Sequence, residues 1–167
     1  MTVKIAAVFL FDLFYWFCCF LGTGTDKKNL AGLRSYPDAV QAAVRAHPEL
    51  GKAAPQEKPL LAILFGNLVL FTVMFSALGS ALKSVLGLNG FLTVFWFFLA
   101  LGEGLGLFDL VVIDLIWWRN TKRIRFSFLP EKGLYQDPGK HIGSFLRGIP
   151  LFAAVAALSA GIVTLAG

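Results

Sequence analysis

A few acidic and polar side chains interrupt the apolar stretches of this sequence, and these are the residues that could do chemistry inside a membrane. A carboxyl group in hydrocarbon is costly unless it faces protein or water, so its presence favours a role in binding or relaying a proton or a cation. Glycines stand on both sides of Glu103, where a break in the helix would turn backbone carbonyls toward an ion. The candidate ion- or proton-binding residues are Asp12, Asn67, Glu103 and Asp109.

A second group of candidates lies near the predicted cytoplasmic face and comprises Asp114, Arg119 and His141. With Asp109, the Asp114 and His141 side chains could hold a metal ion or act as acid and base on a lipid-borne substrate. The alternative is structural, in which Asp114 pairs with Arg119 or Arg123. His141 would then cap a helix or pack against its neighbours. Since no H-E-x-x-H or G-x-S-x-G motif occurs, an enzyme is disfavoured, the metal stays unknown and no cofactor is expected.

The composition indicates the kind of element that must position these residues. A chain with 57% hydrophobic and only 15% charged residues, and a mean hydropathy of +0.71, is too apolar for an ordinary soluble domain. Unbroken apolar runs, without the alternation of a barrel strand, predict membrane-spanning helices. We expect a single all-α domain over residues 1–167 with four transmembrane helices, at about 5–22, 60–82, 91–118 and 144–166.

The distribution of basic residues predicts the orientation of these helices. Of the 15 Lys and Arg, all but Lys4 and Lys83 fall in the first or second long loop or at the start of the last helix. The positive-inside rule therefore places both long loops in the cytoplasm and both termini outside it. The same residues are expected to contact anionic lipid headgroups of the bilayer, and no nucleic-acid module is present.

Helical geometry gives the predicted depth and facing of the acids. Counted at 1.5 Å per residue, Asp12, Asn67 and Asp109 all lie about 10 to 15 Å from the cytoplasmic helix ends, so they could meet. The α-helical period puts Asp109 on the glycine-lined face of the third helix. Glu103 and Asp114 fall on a different face, about 120° away.

The two cytoplasmic loops carry local signals of their own. Pro37 and Asp38 predict the start of a short helix at about 37–46, which should lie on the membrane or on the second loop and end at His47. Apolar and polar residues alternate over 124–128, which indicates a short strand or an interfacial segment. Asp137 and Pro138 predict the start of the last helix, with His141 one turn inside it.

Small residues recur at spacings of four on the second and fourth predicted helices. Such series let helix backbones approach one another closely. They favour helix packing within the bundle or against another membrane protein. The residues are Ser76, Ser80 and Ser84 in one series, and Ala153, Ala157 and Gly161 in the other.

Three segments carry a resemblance to a known family. NLAGLRSYPDAVQ after the first helix, FDLVVIDLIWW ending the third and YQDPGKHIGSFLRG entering the fourth are similar to an uncharacterised family of small four-helix bacterial membrane proteins. The resemblance covers most of the chain. It implies the four-helix architecture and a bacterial inner-membrane location, and it implies no activity.

Three functional hypotheses follow. In the first, the protein is a small ion- or proton-linked transport component, acting as a homo-oligomer or with a larger partner. Alternatively, Asp12 and Asp109 are protonated or hydrogen-bonded struts between helices. In the second hypothesis, the protein is an accessory or scaffold subunit of a larger membrane complex, bound through the small-residue faces of its second and fourth helices. A membrane-embedded metal-dependent enzyme is the less favoured third hypothesis.

Overall fold

The structure, a computed structural model, describes residues 2–166, and this part of the chain is all-helical. The helix content is 79% and no strand occurs among the described residues, which confirms the all-α prediction. The helices are α1 (Thr2–Leu21), α2 (Asp26–Ala31), α3 (Asp38–Ala46), α4 (Leu50–Ala53), α5 (Leu60–Leu86), α6 (Phe91–Phe108), a π-helix (Asp109–Trp118) and α7 (Gly139–Leu165), with short 3-10 turns at Leu33–Ser35 and Lys132–Tyr135.

Three stretches of the described chain are long and apolar enough to cross a membrane: Val3–Leu21, Leu60–Leu86 and Lys132–Leu165. The sequence predicts four. The difference lies in the predicted third helix at 91–118, which the structure divides into α6 and the π-helix. The 18 residues of α6 extend about 27 Å at 1.5 Å per residue, just short of a hydrocarbon core of about 30 Å.

Backbone hydrogen bonds determine where the long helices begin and end. At the end of α5, Gly87 adopts a left-handed conformation with φ of 59°, and its N–H is directed at the carbonyls of Lys83 and Ser84. Glycine adopts this conformation without steric cost from a Cβ, so Gly87 ends the helix. The end of α5 therefore lies beyond the predicted end at residue 82. At the start of α7, the Gly139 N–H donates to Asp137 Oδ1 at 2.9 Å. Asp137 thus stabilises the predicted helix start, as expected.

The chain forms two compact units. The first, here called the helical unit, comprises Met1–Asp12, Lys58–Leu107 and Leu146–Gly167. Its core is aromatic: the Phe75 ring lies 5.3 Å from Phe98 and 6.3 Å from Phe152, centroid to centroid. Phe75 also contacts Phe11 of α1 at 6.1 Å, so helices from all three segments meet at one ring.

The small residues that the helical unit buries differ from the predicted series. On α5 the buried small residues are Ser76 and Gly79, and on α7 they are Ala156, Ser159 and Ala160. Ser80, Ser84 and Ala157 are exposed. A buried helix face alternates steps of three and four residues, whereas a row at constant steps of four drifts off that face. The predicted series is therefore correct only at Ser76.

The second unit, here called the loop unit, comprises Leu13–Glu57 and Phe108–Phe145. Its core joins both long loops and the end of the π-helix, which confirms that α3 packs on the second loop. The buried core residues are Leu30, Leu33, Tyr36, Val40, Val44, Trp118, Ile124, Phe126 and Tyr135.

Side chains, rather than a neighbouring strand, bind the backbone of the second loop. The Tyr36 hydroxyl donates to the Ile124 carbonyl at 2.8 Å, and Asn29 Nδ2 donates to the Arg123 carbonyl at 3.0 Å. The Phe126 N–H donates to the Tyr135 hydroxyl at 3.1 Å. Ile124 and Phe126 are buried, as their alternation indicates, but residues 124–128 form turns and not a strand.

Candidate functional site

A buried carboxyl–imidazole pair is the centre of the candidate site. Asp114 Oδ2 and His141 Nδ1 lie 2.8 Å apart, and the two side chains are 13% and 7% exposed. Asp114 comes from the π-helix, while His141 lies in the first turn of α7, where the Asp137 cap holds the backbone. Two secondary-structure elements of the loop unit thus bring together two residues that are 27 positions apart in the sequence.

The geometry of the pair sets its chemistry. At 2.8 Å, a protonated Nδ1 donates a hydrogen bond to the carboxylate, which orients the ring and fixes its tautomer. The second ring nitrogen, Nε2, is then the position that gains or loses a proton.

An indole ring packs against this imidazole. The Trp118 and His141 ring centroids are 5.5 Å apart at an interplanar angle of 67°. The Trp118 ring centroid lies 4.9 Å from that of Tyr36. Packing in the loop-unit core therefore holds the Trp118 indole in place, and the indole in turn limits the orientation of the His141 ring. The Tyr36 hydroxyl is fully buried, and burial raises the pKa of Tyr36, which keeps it a hydrogen-bond donor.

Asp109 lies close enough to Asp114 and His141 for the charges of both to act on its carboxyl group. Asp109 and Asp114 are the first and sixth residues of the π-helix. In a π-helix, with hydrogen bonds from i to i+5, residues five apart lie above one another on successive turns. In an α-helix, residues five apart lie on different faces. An α-helix, as expected from the sequence, would therefore put Asp109 and Asp114 on different faces. The π-helix brings them onto the same side.

Two further residues belong to this cluster and were not singled out by the sequence as site residues. Tyr15 and Cys19 lie one turn apart on α1, their side chains interact, and both feel the charges of Asp109 and Asp114. Their spacing of four residues on an aromatic helix is the only signal that the sequence offers. The cluster therefore joins α1, the π-helix and α7 within the loop unit.

Among the described residues, neither Arg119 nor Arg123 forms an ion pair with Asp114. Arg123 Nη2 donates to the carbonyls of Phe20 and Thr23 at 3.1 and 3.0 Å, and its guanidinium carbon lies 3.8 Å from the Phe20 ring centroid. Arg119 is half-buried, and its carbonyl accepts a hydrogen bond from Gln136 at 2.9 Å. The expected pairing of Asp114 with Arg119 or Arg123 is therefore wrong, because His141 takes that place.

The remaining predicted residues lie in the helical unit. Asp12 is 7% exposed, and its Oδ1 has no hydrogen-bond partner among the described residues. Asn67 and Glu103 are half-buried. The predicted meeting of Asp12, Asn67 and Asp109 stays a prediction. In residues 2–166, no group of three or more His, Cys, Asp or Glu side chains is placed to hold a metal ion.

The chain matches no protein-family model, and no curated protein or solved structure matches it either.

Proposed function

We propose that this protein is a small proton-linked component of membrane transport, and that the cluster of Asp109, Asp114 and His141 carries the proton. The observation that supports this proposal is the buried 2.8 Å contact between Asp114 and His141. A buried carboxyl–imidazole pair can take up and release one proton without leaving an isolated charge in an apolar environment. Ionisable groups at membrane depth that pair with one another are typical of proton relays.

The cluster supplies a sequence of proton carriers. His141 Nε2 is the exchangeable position, Asp114 holds the ring, and Asp109 is the next carboxyl group along the π-helix. Tyr15 and Cys19 add a hydroxyl and a thiol beside Asp109. In the helical unit, Asp12, Asn67 and Glu103 stay candidate ion- or proton-binding residues.

Proton flux into liposomes tests this proposal. The purified protein is reconstituted with a pH-sensitive dye inside the vesicles, and a potassium gradient with valinomycin supplies the driving force. We expect dye acidification with the wild type, and a rate about tenfold lower or less with His141→Gln or Asp114→Asn, because each removes one partner of the relay. Glu131→Gln, at an exposed position, is the matched control and should keep the wild-type rate.

Two results would contradict the proposal. If liposomes with the wild-type protein acidify no faster than empty liposomes, the protein carries no proton flux. Wild-type rates in both His141→Gln and Asp114→Asn, with unchanged helix content by circular dichroism, show that the pair carries no proton.

We also propose that α6 and the π-helix together make a fourth membrane crossing, with both termini outside the cytoplasm. The loop unit supports this, because residues before α5 and residues after the π-helix share one core. The two loops must then lie on one side, which requires an even number of crossings between them. Since α5 supplies one, the continuous helical run from Phe91 to Trp118 supplies the other.

The basic residues of the two loops fit the same orientation. Lys27, Lys28, Lys52, Lys122 and Lys132 are exposed. On the cytoplasmic side of a membrane such residues are attracted to anionic lipid headgroups. We propose a bacterial inner membrane as the location, in keeping with the resemblance of the three segments.

The accessory-subunit hypothesis has one observation in its favour. Ser80, Ser84 and Ala157 are exposed on the helical unit, and a Cβ added at Gly161 would meet nothing within 4 Å. These small residues are thus available to a helix of another subunit. Native mass spectrometry from mild detergent separates the alternatives: a stoichiometric second copy or larger membrane protein favours this hypothesis, and a homogeneous monomer contradicts it.

A further inference from the structure

The chain has two cysteines, Cys18 and Cys19, which are consecutive residues of α1. Both thiols are free, and the charge of Cys18 acts on Cys19. Consecutive Cα atoms are about 3.8 Å apart, so the two sulfurs stay near each other whatever the rotamers. The same separation is shorter than the roughly 4.4 to 6.8 Å that disulfides span. The pair is therefore a standing dithiol rather than half of a redox couple.

The two thiols differ in their surroundings. Cys18 is exposed, whereas Cys19 is partly buried. Tyr15, one turn earlier on α1, hydrogen-bonds the Cys19 side chain, and the charge of Asp109 acts on the same thiol. The dithiol thus joins a sulfur that a solute can reach to a sulfur beside a carboxyl group that can accept a proton.

We infer that Cys18 and Cys19 together bind a soft divalent cation of the Hg(II) class. Thiolates are soft ligands and select soft metals, whereas Mg²⁺ and Ca²⁺ take oxygen ligands. Two thiolates neutralise a divalent cation, so the complex carries no net charge on an apolar helix. A monovalent soft cation such as Cu(I) would leave one negative charge there.

The number of ligands narrows the class of metal further. Structural Zn(II) almost always takes four protein ligands. Within residues 2–166, no third His, Cys, Asp or Glu side chain completes such a set with the two thiols. A cation in linear coordination needs only two sulfurs, about 4.6 Å apart for metal–sulfur bonds of about 2.3 Å. Side chains on consecutive residues can span that distance.

Binding of the cation releases two protons. Each thiol loses its S–H proton and forms one metal–sulfur bond, so two thiols and one divalent cation give a neutral dithiolate complex and two H⁺. No group is oxidised or reduced. The Cys18 proton leaves directly, and the Cys19 proton leaves by way of the Asp109 carboxyl group. This last step rests on the proposed proton relay, whereas the binding of the metal does not.

Competition with glutathione tests the inference. The protein in nanodiscs is equilibrated with HgCl₂ and excess glutathione, separated by gel filtration and analysed for mercury by mass spectrometry. We expect one mercury per wild-type chain, because two thiols held on one helix act as a chelate that a monothiol displaces poorly. Cys18→Ser and Cys19→Ser should each lower the affinity about hundredfold or more, since each leaves a single thiol.

Met74→Leu is the matched control, because Met74 carries the remaining sulfur of residues 2–166. It should bind mercury as the wild type does. The inference is overturned if glutathione strips the wild type as readily as Cys18→Ser, or if either serine variant keeps one mercury per chain. Should a serine variant fail to fold, Cys18→Ala or Cys19→Ala takes its place under the same criteria.

Cys18→Ser also separates this inference from the proposed function, because Cys18 is not among the groups of the proton relay. The variant should lose mercury binding and keep the wild-type rate of proton flux into liposomes. A wild type that binds mercury but carries no proton flux contradicts the proposed function and supports the metal site. A wild type that carries proton flux but binds no mercury contradicts the metal site alone.

Discussion

Single side chains of the loop unit bind backbone groups that regular secondary structure would otherwise satisfy. The Ile124 carbonyl accepts from the Tyr36 hydroxyl at 2.8 Å, and both residues are fully buried. The Tyr135 hydroxyl likewise joins two backbone groups, accepting from the Phe126 N–H and donating to the Leu129 carbonyl. The second loop is therefore fixed by a few tyrosine, asparagine and arginine side chains.

At this scale we predict that Tyr36→Phe destabilises the protein by about 1 to 3 kcal/mol, because it leaves the buried Ile124 carbonyl without a donor. Urea unfolding followed by tryptophan fluorescence measures the change, since Trp118 packs on Tyr36. Ser127→Ala is the control. It removes an exposed hydrogen bond to Asp26, and it should cost well under half as much. Equal losses in the two variants would show that burial of the acceptor does not matter here.

Among the elements, α6 and α7 approach each other closely at one glycine. A Cβ built at Gly102 would lie 2.7 to 2.9 Å from three carbons of Phe152, including its Cβ. The Phe152 Cβ is attached to the α7 backbone, so the clash is not relieved by a turn of the ring alone. At Gly104, two residues further along α6, the nearest atom would be Val8 Cγ1 at 3.8 Å, an ordinary contact.

These distances predict opposite effects of one substitution at two positions of a single helix. Gly102→Ala should destabilise by about 1 to 3 kcal/mol through overpacking. Gly104→Ala should be neutral or stabilise by up to about 1 kcal/mol, since alanine favours helix over glycine. Thermal unfolding of both variants in nanodiscs measures the pair. Equal destabilisation by both would mean that α6 and α7 do not pack as described.

For the whole molecule, the shared core of the two long loops is the main constraint on topology. Residues from the first loop, such as Leu33 and Val40, are buried with Ile124 and Phe126 of the second. Loops on opposite sides of a bilayer could not share this core. The core thus fits the proposal that both loops lie on one side of the membrane, whichever side that is.

A topology measurement follows from that constraint. Alkaline phosphatase fused to the C-terminus should be active and green fluorescent protein there should be dark, because the C-terminus is expected outside the cytoplasm. A fluorescent protein inserted after Lys52, at an exposed position, should be bright. A bright C-terminal fusion together with a bright fusion after Lys52 would mean three crossings and would remove the fourth crossing proposed for α6 and the π-helix.

The sequence by itself predicted the all-α content and the three helices that are long and apolar enough to cross a membrane, because hydrophobicity and its period are local properties. It also located the short α3 helix to within one residue of its start, since Pro37 and Asp38 are local signals. Tertiary structure decided the pairing of Asp114 with His141 and the placement of Asp109. Both depend on the π-helix and on contacts between residues far apart in the chain, which no local pattern records.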